Sequence, residues 1–250
     1  MPKQNKPQTR NFRSVTEPSA KPANKKAAPE GQPGDVAAIR AEIRAFLKTP
    51  DDFGRPIGSS KSGVYAFYDY DGEPIYIGQT FEGLGARIGR HLTNQRTDAV
   101  AMNVLDPFEV AEISVWPMDL SHLVEKEIKA ELDKAEYTLY LKVIAESSFH
   151  AVLNEKPPHE TPLVELPKAY RGKIIPSSIF PQRKHPDVRI ARRASTIAAL
   201  ARVISERKVT KWLRTTLRTQ ARRLEKLASD RLSDFAGGLD DDDAEIESKD

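Results

Sequence analysis

Apolar side chains in residues 35–48, DVAAIRAEIRAFLK, recur at Val36, Ile39, Ile43, Phe46 and Leu47, the spacing of one helix face. Asp35 stands where it can cap the start, and Pro50 ends the helix. The period then shortens. Val64-Tyr65-Ala66-Phe67-Tyr68 and Ile75-Tyr76-Ile77 read as two strands, and Asp71-Gly72 between them marks a tight hairpin turn. Gly83 and Gly85 loosen the start of a second helical pattern carrying Leu84, Arg87, Ile88, His91 and Leu92. Residues 108–116, FEVAEISVW, keep mostly to period two through Phe108, Val110, Ile113 and Val115, which predicts a third strand. The break between Val110 and Ile113 reads as a bulge or a shift in phase. From Leu123 to Ala145 the pattern is helical again, through Ile128, Leu132, Tyr137, Leu139, Tyr140 and Val143. After Val152-Leu153-Asn154, prolines 157, 158, 162 and 167 break regularity. The order predicts a small α/β (α+β) domain over 35–160, with a mainly antiparallel three-stranded sheet flanked by helices.

Beyond a proline-containing linker read at 161–186, residues 187–236 form one or two long helices. Ile190, Ile197, Leu200, Val203, Ile204, Trp212, Leu213, Leu217, Leu224 and Leu227 supply the apolar positions. The other faces are basic: Arg189, Arg192, Arg193, Arg202, Arg207, Lys208, Lys211, Arg214 and Arg218, continued by Arg222, Arg223 and Lys226. Such a surface suits backbone phosphates of DNA, with an affinity that falls steeply as salt rises.

The net charge of +3 over 250 residues hides this segregation. A basic arm at 1–34, rich in Pro, Lys, Ala, Gln and Asn, and an acidic tail at 237–250, ending LDDDDAEIESKD, both read as disordered. The chain contains no cysteine, so disulfides and thiolate metal sites are excluded, which fits a reducing cytoplasm. No apolar run approaches the ~20 residues that a membrane-spanning helix needs, and the basic N-terminus has no apolar segment of the secretory kind.

Within that frame, Gly63-Val64-Tyr65 and Tyr76-Ile77-Gly78 stand on the two predicted hairpin strands, followed by Leu84-x-x-Arg87, by His91 one turn later, by Glu136 in AEYTL, and by Leu153-Asn154. Over residues 60–156 the sequence resembles the GIY-YIG nuclease family. The resemblance implies a metal-dependent endonuclease acting on DNA, of restriction or phage-defence type. A catalytically silent nucleic-acid-binding protein on the same fold, or a repair, homing or recombination nuclease, is the alternative. It puts Tyr65 beside the attacking water, Tyr76 on the phosphate or water, and His91 as a relay for the Tyr65 proton.

Arg87 suits the phosphate because its planar fork is permanently charged and makes paired contacts. Glu136 would hold the ion, Mg²⁺ or another divalent cation such as Mn²⁺, with Glu131 and Glu146 as the other candidates, and Asn154 would support the geometry. Two departures stand out: Val64 replaces the usual isoleucine, and Gln79 follows YIG where some members carry lysine. Cutting both strands would call for a homodimer.

Overall fold

The structure, a computed structural model, describes residues 34–92, 105–154, 156–206 and 208–236, with His91 described in its backbone only. The acidic tail, the basic arm up to residue 33, and Arg207 therefore lie outside the described residues.

Helix α1 (Gly34–Leu47) buries Ile39, Ile43 and Phe46, the stripe its spacing predicts. Strands β1 (Ser62–Tyr68) and β2 (Pro74–Thr80) form an antiparallel hairpin with Tyr65 opposite Gly78 and Phe67 opposite Tyr76. The Asp69 carboxylate builds the turn by accepting from the N–H groups of Asp71 (2.9 Å) and Glu73 (3.0 Å). Gly72 sits there at φ 75°, a conformation that side chains resist. Helix α2 (Leu84–Leu92) follows, then β3 (Glu112–Met118), paired with the other side of β1 so that Val115 lies opposite Tyr65. Helix α3 spans Glu125–Glu146.

Two expectations need correction. The third strand starts four residues later than its alternation suggests, because Pro107–Glu109 forms a 3₁₀ turn capped by the Asp106 side chain on the Phe108 N–H (2.9 Å). The break after Val110 is the border between turn and strand. The sheet also has four strands instead of three: β4 (Tyr170–Lys173), from the stretch read as a linker, pairs antiparallel with β3. Its sequence, YRGK, carries no hydrophobic alternation, and Gly172 is required by space, since a Cβ there would meet Phe46 Cδ2 at 2.4 Å. Short helix α4 (Phe180–Lys184) lies in the same stretch, and the basic region resolves into α5 (Pro186–Glu206) and α6 (Lys211–Ala236).

The strand order is β2-β1-β3-β4. One face carries Tyr65, Phe67, Ile75, Ile113 and Val115, packed with α1, with Leu84 and Ile88 of α2, and with Leu200, Ile204 and Leu213 of α5 and α6. Val64, Ala66, Ile77 and Trp116 of the other face pack on Leu132, Ala135, Leu139 and Val143 of α3. Each fully buried side chain of this size contributes about 1.5–3 kcal/mol, which fixes both layers firmly on the sheet. Strand β2 is thereby left as an edge.

Candidate active site at the edge of the sheet

The β1–β2 register decides where the first tyrosine ends. Tyr65 is wholly buried and points across its partner Gly78, over which its ring and hydroxyl lie so closely that a Cβ would meet Oη at 2.5 Å and Cζ at 2.6 Å. The glycine of the second signature is thus the floor on which the hydroxyl of the first one rests. Arg87, half-buried on α2, donates from Nε to Tyr65 Oη at 3.3 Å. Tyr76 stands on the same sheet face, its ring centroid 6.3 Å from that of Tyr65 and 5.6 Å from that of Phe67. Burial pushes the Tyr65 phenol well above its ordinary value of 10, with Tyr76 and Glu136 adding to the effect and Arg87 pulling against it. Tyr65 is therefore a neutral hydroxyl at neutral pH.

A second group arrives from the opposite face. Gln79, next along β2 after Gly78, donates through Nε2 to Asp133 Oδ1 (2.6 Å) and to Glu136 Oε2 (3.1 Å) of α3. Burial raises the pKa of Glu136; the Gln79 hydrogen bond lowers it, Asp133 raises it, and Arg87 and Lys156 lower it. Of the three glutamates weighed from sequence, Glu136 is the one that meets β2. Glu131 is paired with Lys134 (2.7 Å), and Glu146 lies exposed at the end of α3. Because residues 78 and 79 are neighbours on an edge strand, hydroxyl, guanidinium and carboxylate reach the same border from the two faces. The backbone of His91 is on α2, one turn beyond Arg87, and its side chain lies outside the described residues.

Asn154 secures that border. Its side-chain Oδ1 accepts from the Ile77 N–H (3.1 Å) and its Nδ2 donates to the Ile77 carbonyl (2.9 Å), so one side-chain amide imitates a pairing strand. Leu153 N–H donates to the Ile75 carbonyl (2.8 Å), and Thr216 of α6 donates to the Asn154 carbonyl (3.0 Å). The tripeptide carrying Tyr76 and Gly78 is thus held straight by hydrogen bonds from residues 153 and 154.

The basic helices divide sharply. Arg189 and Arg193 are 2% and 5% exposed, and with Arg223 they converge on Asp69 Oδ2 at 3.3, 3.0 and 2.6 Å. Arg189 also grips Asp71 (3.0 and 2.7 Å), and Arg193 donates from Nε to Glu109 (2.9 Å). Arg192 forms a fork with Asp106, both bonds 2.7 Å. The expectation that Arg189, Arg192 and Arg193 face DNA is corrected here: Arg189 and Arg193 bind the helices to the hairpin turn, and Arg192 binds α5 to the turn before β3. Helical periodicity separates apolar from charged faces but cannot tell water from a carboxylate partner. The acidic residues of DYDGE at 69–73, and Glu109 within an apolar stretch, were the available signal. Arg202, Lys208, Lys211, Arg214 and Arg218 remain exposed.

Sequence reasoning missed Asp133, Lys156 and the bridging role of Gln79. Asp133 sits three residues before Glu136, the spacing that puts both on one helix face, and that was legible. Residues 61–140 match the family model described as the GIY-YIG catalytic domain. Comparison with curated proteins and with solved structures finds no match.

Proposed function

We propose that this chain, a member of the GIY-YIG nuclease family by its residues 61–140, is a divalent-metal-dependent DNA endonuclease. We read it as a cytoplasmic, restriction-type or defence enzyme that cuts both strands as a homodimer. The observation that carries the nuclease reading is the meeting of Tyr65–Arg87 and Gln79–Glu136 on adjacent residues of one strand edge.

Divalent ions serve GIY-YIG nucleases generally, and the residues at this edge fit one. Glu136 and Asp133 offer hard oxygen donors that share a single amide, which leaves negative charge for a cation such as Mg²⁺ or Mn²⁺ to balance. When bound, the ion supplies Lewis-acid charge to the phosphate and the leaving oxygen. Glu136 is the residue that would hold it, with Asp133 beside it.

The side chains do the rest. Tyr65 presents a neutral hydroxyl whose oxygen orients the attacking water and takes its proton as the new P–O bond forms, while the phenol passes its own proton to the relay, a loss that the Arg87 charge favours. Arg87 offers its remaining guanidinium face to the non-bridging oxygens, where negative charge is greatest while the old P–O bond breaks. The leaving alkoxide takes a proton from solvent water and departs as the alcohol. Tyr76, half-buried beside Tyr65, lines the approach and places its hydroxyl toward phosphate or water. His91, four residues after Arg87 in the sequence, is read as the relay for the Tyr65 proton. The exposed Lys211, Arg214 and Arg218 of α6, with Arg202 and Lys208, hold the flanking duplex.

Incubation of the purified chain with supercoiled plasmid and Mg²⁺ tests this reading. Cleavage that disappears in Glu136→Gln and in EDTA supports it. Plasmid that is retarded on a gel yet stays intact with Mg²⁺ and with Mn²⁺ supports the silent binder instead.

A further inference from the structure

Residues 156–164 lie between an anchor on β2 and anchors on α3. The chain leaves β2 at Asn154, fixed by the two bonds to Ile77 and by Thr216. It is next tied down on α3, where Thr161 donates to the Asp133 carbonyl (3.4 Å) and the Val164 N–H donates to Thr138 Oγ1 (3.1 Å). These anchors flank the place where Gln79 bridges from β2 to Asp133 and Glu136. The strap therefore runs beside the carboxylates, and Pro157 and Pro158 limit the paths it can take.

Lys156 stands on this strap just before the two prolines. Its side chain is exposed, and among the described residues it has no hydrogen-bond or ion-pair partner. Its charge still acts on Glu136, whose carboxyl it helps to hold down against burial and Asp133. A long ammonium on a short, proline-stiffened strap beside a carboxylate pair is placed to meet whatever anion those groups recruit.

Resting on the nuclease reading above, we propose that Lys156 is a substrate-contacting residue whose ammonium binds a non-bridging oxygen of the scissile phosphate, opposite Arg87, and strengthens that contact as the transition state forms. Arg87 reaches the phosphate from α2 on one face, and Lys156 reaches it from the strap on the other. As a compact point charge with three donors, a lysine can follow the phosphate through its change of shape without taking part in proton transfer.

The test compares wild type, Lys156→Ala, Lys156→Arg and Glu136→Gln as full chains. Single-turnover cleavage is measured with Mg²⁺, and duplex affinity by fluorescence anisotropy with Ca²⁺. The Lys156→Ala chain is expected to keep the wild-type melting temperature, because one exposed charge contributes little to stability, and to lose no more than a few-fold in duplex affinity, the share of one phosphate contact among many. Its cleavage rate is expected to fall about 10–100-fold, less than for loss of a fully buried oxyanion donor, and Lys156→Arg is expected to recover part of it. A Lys156→Ala rate equal to wild type overturns the proposal. So does a fall in rate matched by an equal fall in affinity, which would make Lys156 an ordinary docking contact. If wild type is as inert as Glu136→Gln, the nuclease reading itself has failed and the proposal goes with it.

Discussion

Replacing Gly78 with alanine adds one methyl group at the point where the two tyrosine signatures touch. The new Cβ would stand 2.5 Å from Tyr65 Oη and 2.6 Å from Cζ, and backbone pairing on both sides of β1 prevents the strands from parting. To restore an ordinary contact of 3.4 Å the hydroxyl must retreat by about 0.9 Å, and displacement of about 1 Å in a reacting group can cost ~100-fold in rate. Overpacking of this kind costs about 1–3 kcal/mol of stability, of which the lower chain entropy of alanine in a strand returns about 0.5–1 kcal/mol. Gly172→Ala supplies the matched control. Its Cβ would meet Phe46 Cδ2 at 2.4 Å, an equal collision on β4 beneath α1. Both variants should melt below wild type. Assayed at a temperature below both transitions, Gly78→Ala should lose about two orders of magnitude in single-turnover cleavage, while Gly172→Ala stays within about threefold, since its clash does not touch the reacting groups. Equal rates for the two glycine variants would refute the claim that Gly78 sets the position of the Tyr65 hydroxyl.

Other outcomes follow from the same geometry. Asp69→Ala leaves Arg189, Arg193 and Arg223 buried around a missing charge, so denaturant unfolding should show a loss of about 3–5 kcal/mol, and a loss under about 1 kcal/mol would contradict the central role given to Asp69. Burial raises the Asp71 carboxyl, but its hydrogen bonds and charge pairing with Arg189 win and hold it below its ordinary 3.8. Its contribution is therefore present above pH 3.8 and fades as pH falls through the lower folded value. The stability gap between wild type and Asp71→Asn should close in acid, and a gap that widens there reverses the sign expected for this pairing. Alanine at Lys211, Arg214 and Arg218 together should flatten the dependence of log K on log salt by about 0.9 for each phosphate that is no longer neutralised, with an unchanged slope removing that face of α6 from the DNA surface. Arg87→Lys keeps a charge but loses the fork and the Nε bond to Tyr65, so cleavage should drop about 100-fold with duplex affinity retained; full activity would show that charge alone suffices.

The helices and hairpin that carry the site were legible because each rests on local chemistry. Residues 35–47 repeat at helical spacing, Asp69 to Gly72 build their own turn, and Tyr65, Tyr76, Arg87 and Glu136 keep the order that marks the family. What the chain could not announce alone was every feature that depends on a distant partner. YRGK becomes a strand only because β3 offers an open edge and Phe46 tolerates no side chain at Gly172. Gln79, a departure from the family pattern by its letter alone, becomes a bridge because α3 presents Asp133 and Glu136 to it. The arginines of α5 look alike in sequence, yet Arg193 is sealed against Asp69 and Glu109 while Arg202 faces water, since the hairpin covers one end of the helix and not the other. Periodicity records which positions avoid solvent or seek it. Which charge a cation meets, and whether that charge is a carboxylate of the protein or a phosphate from outside, is settled by surfaces that come together only when the chain has folded.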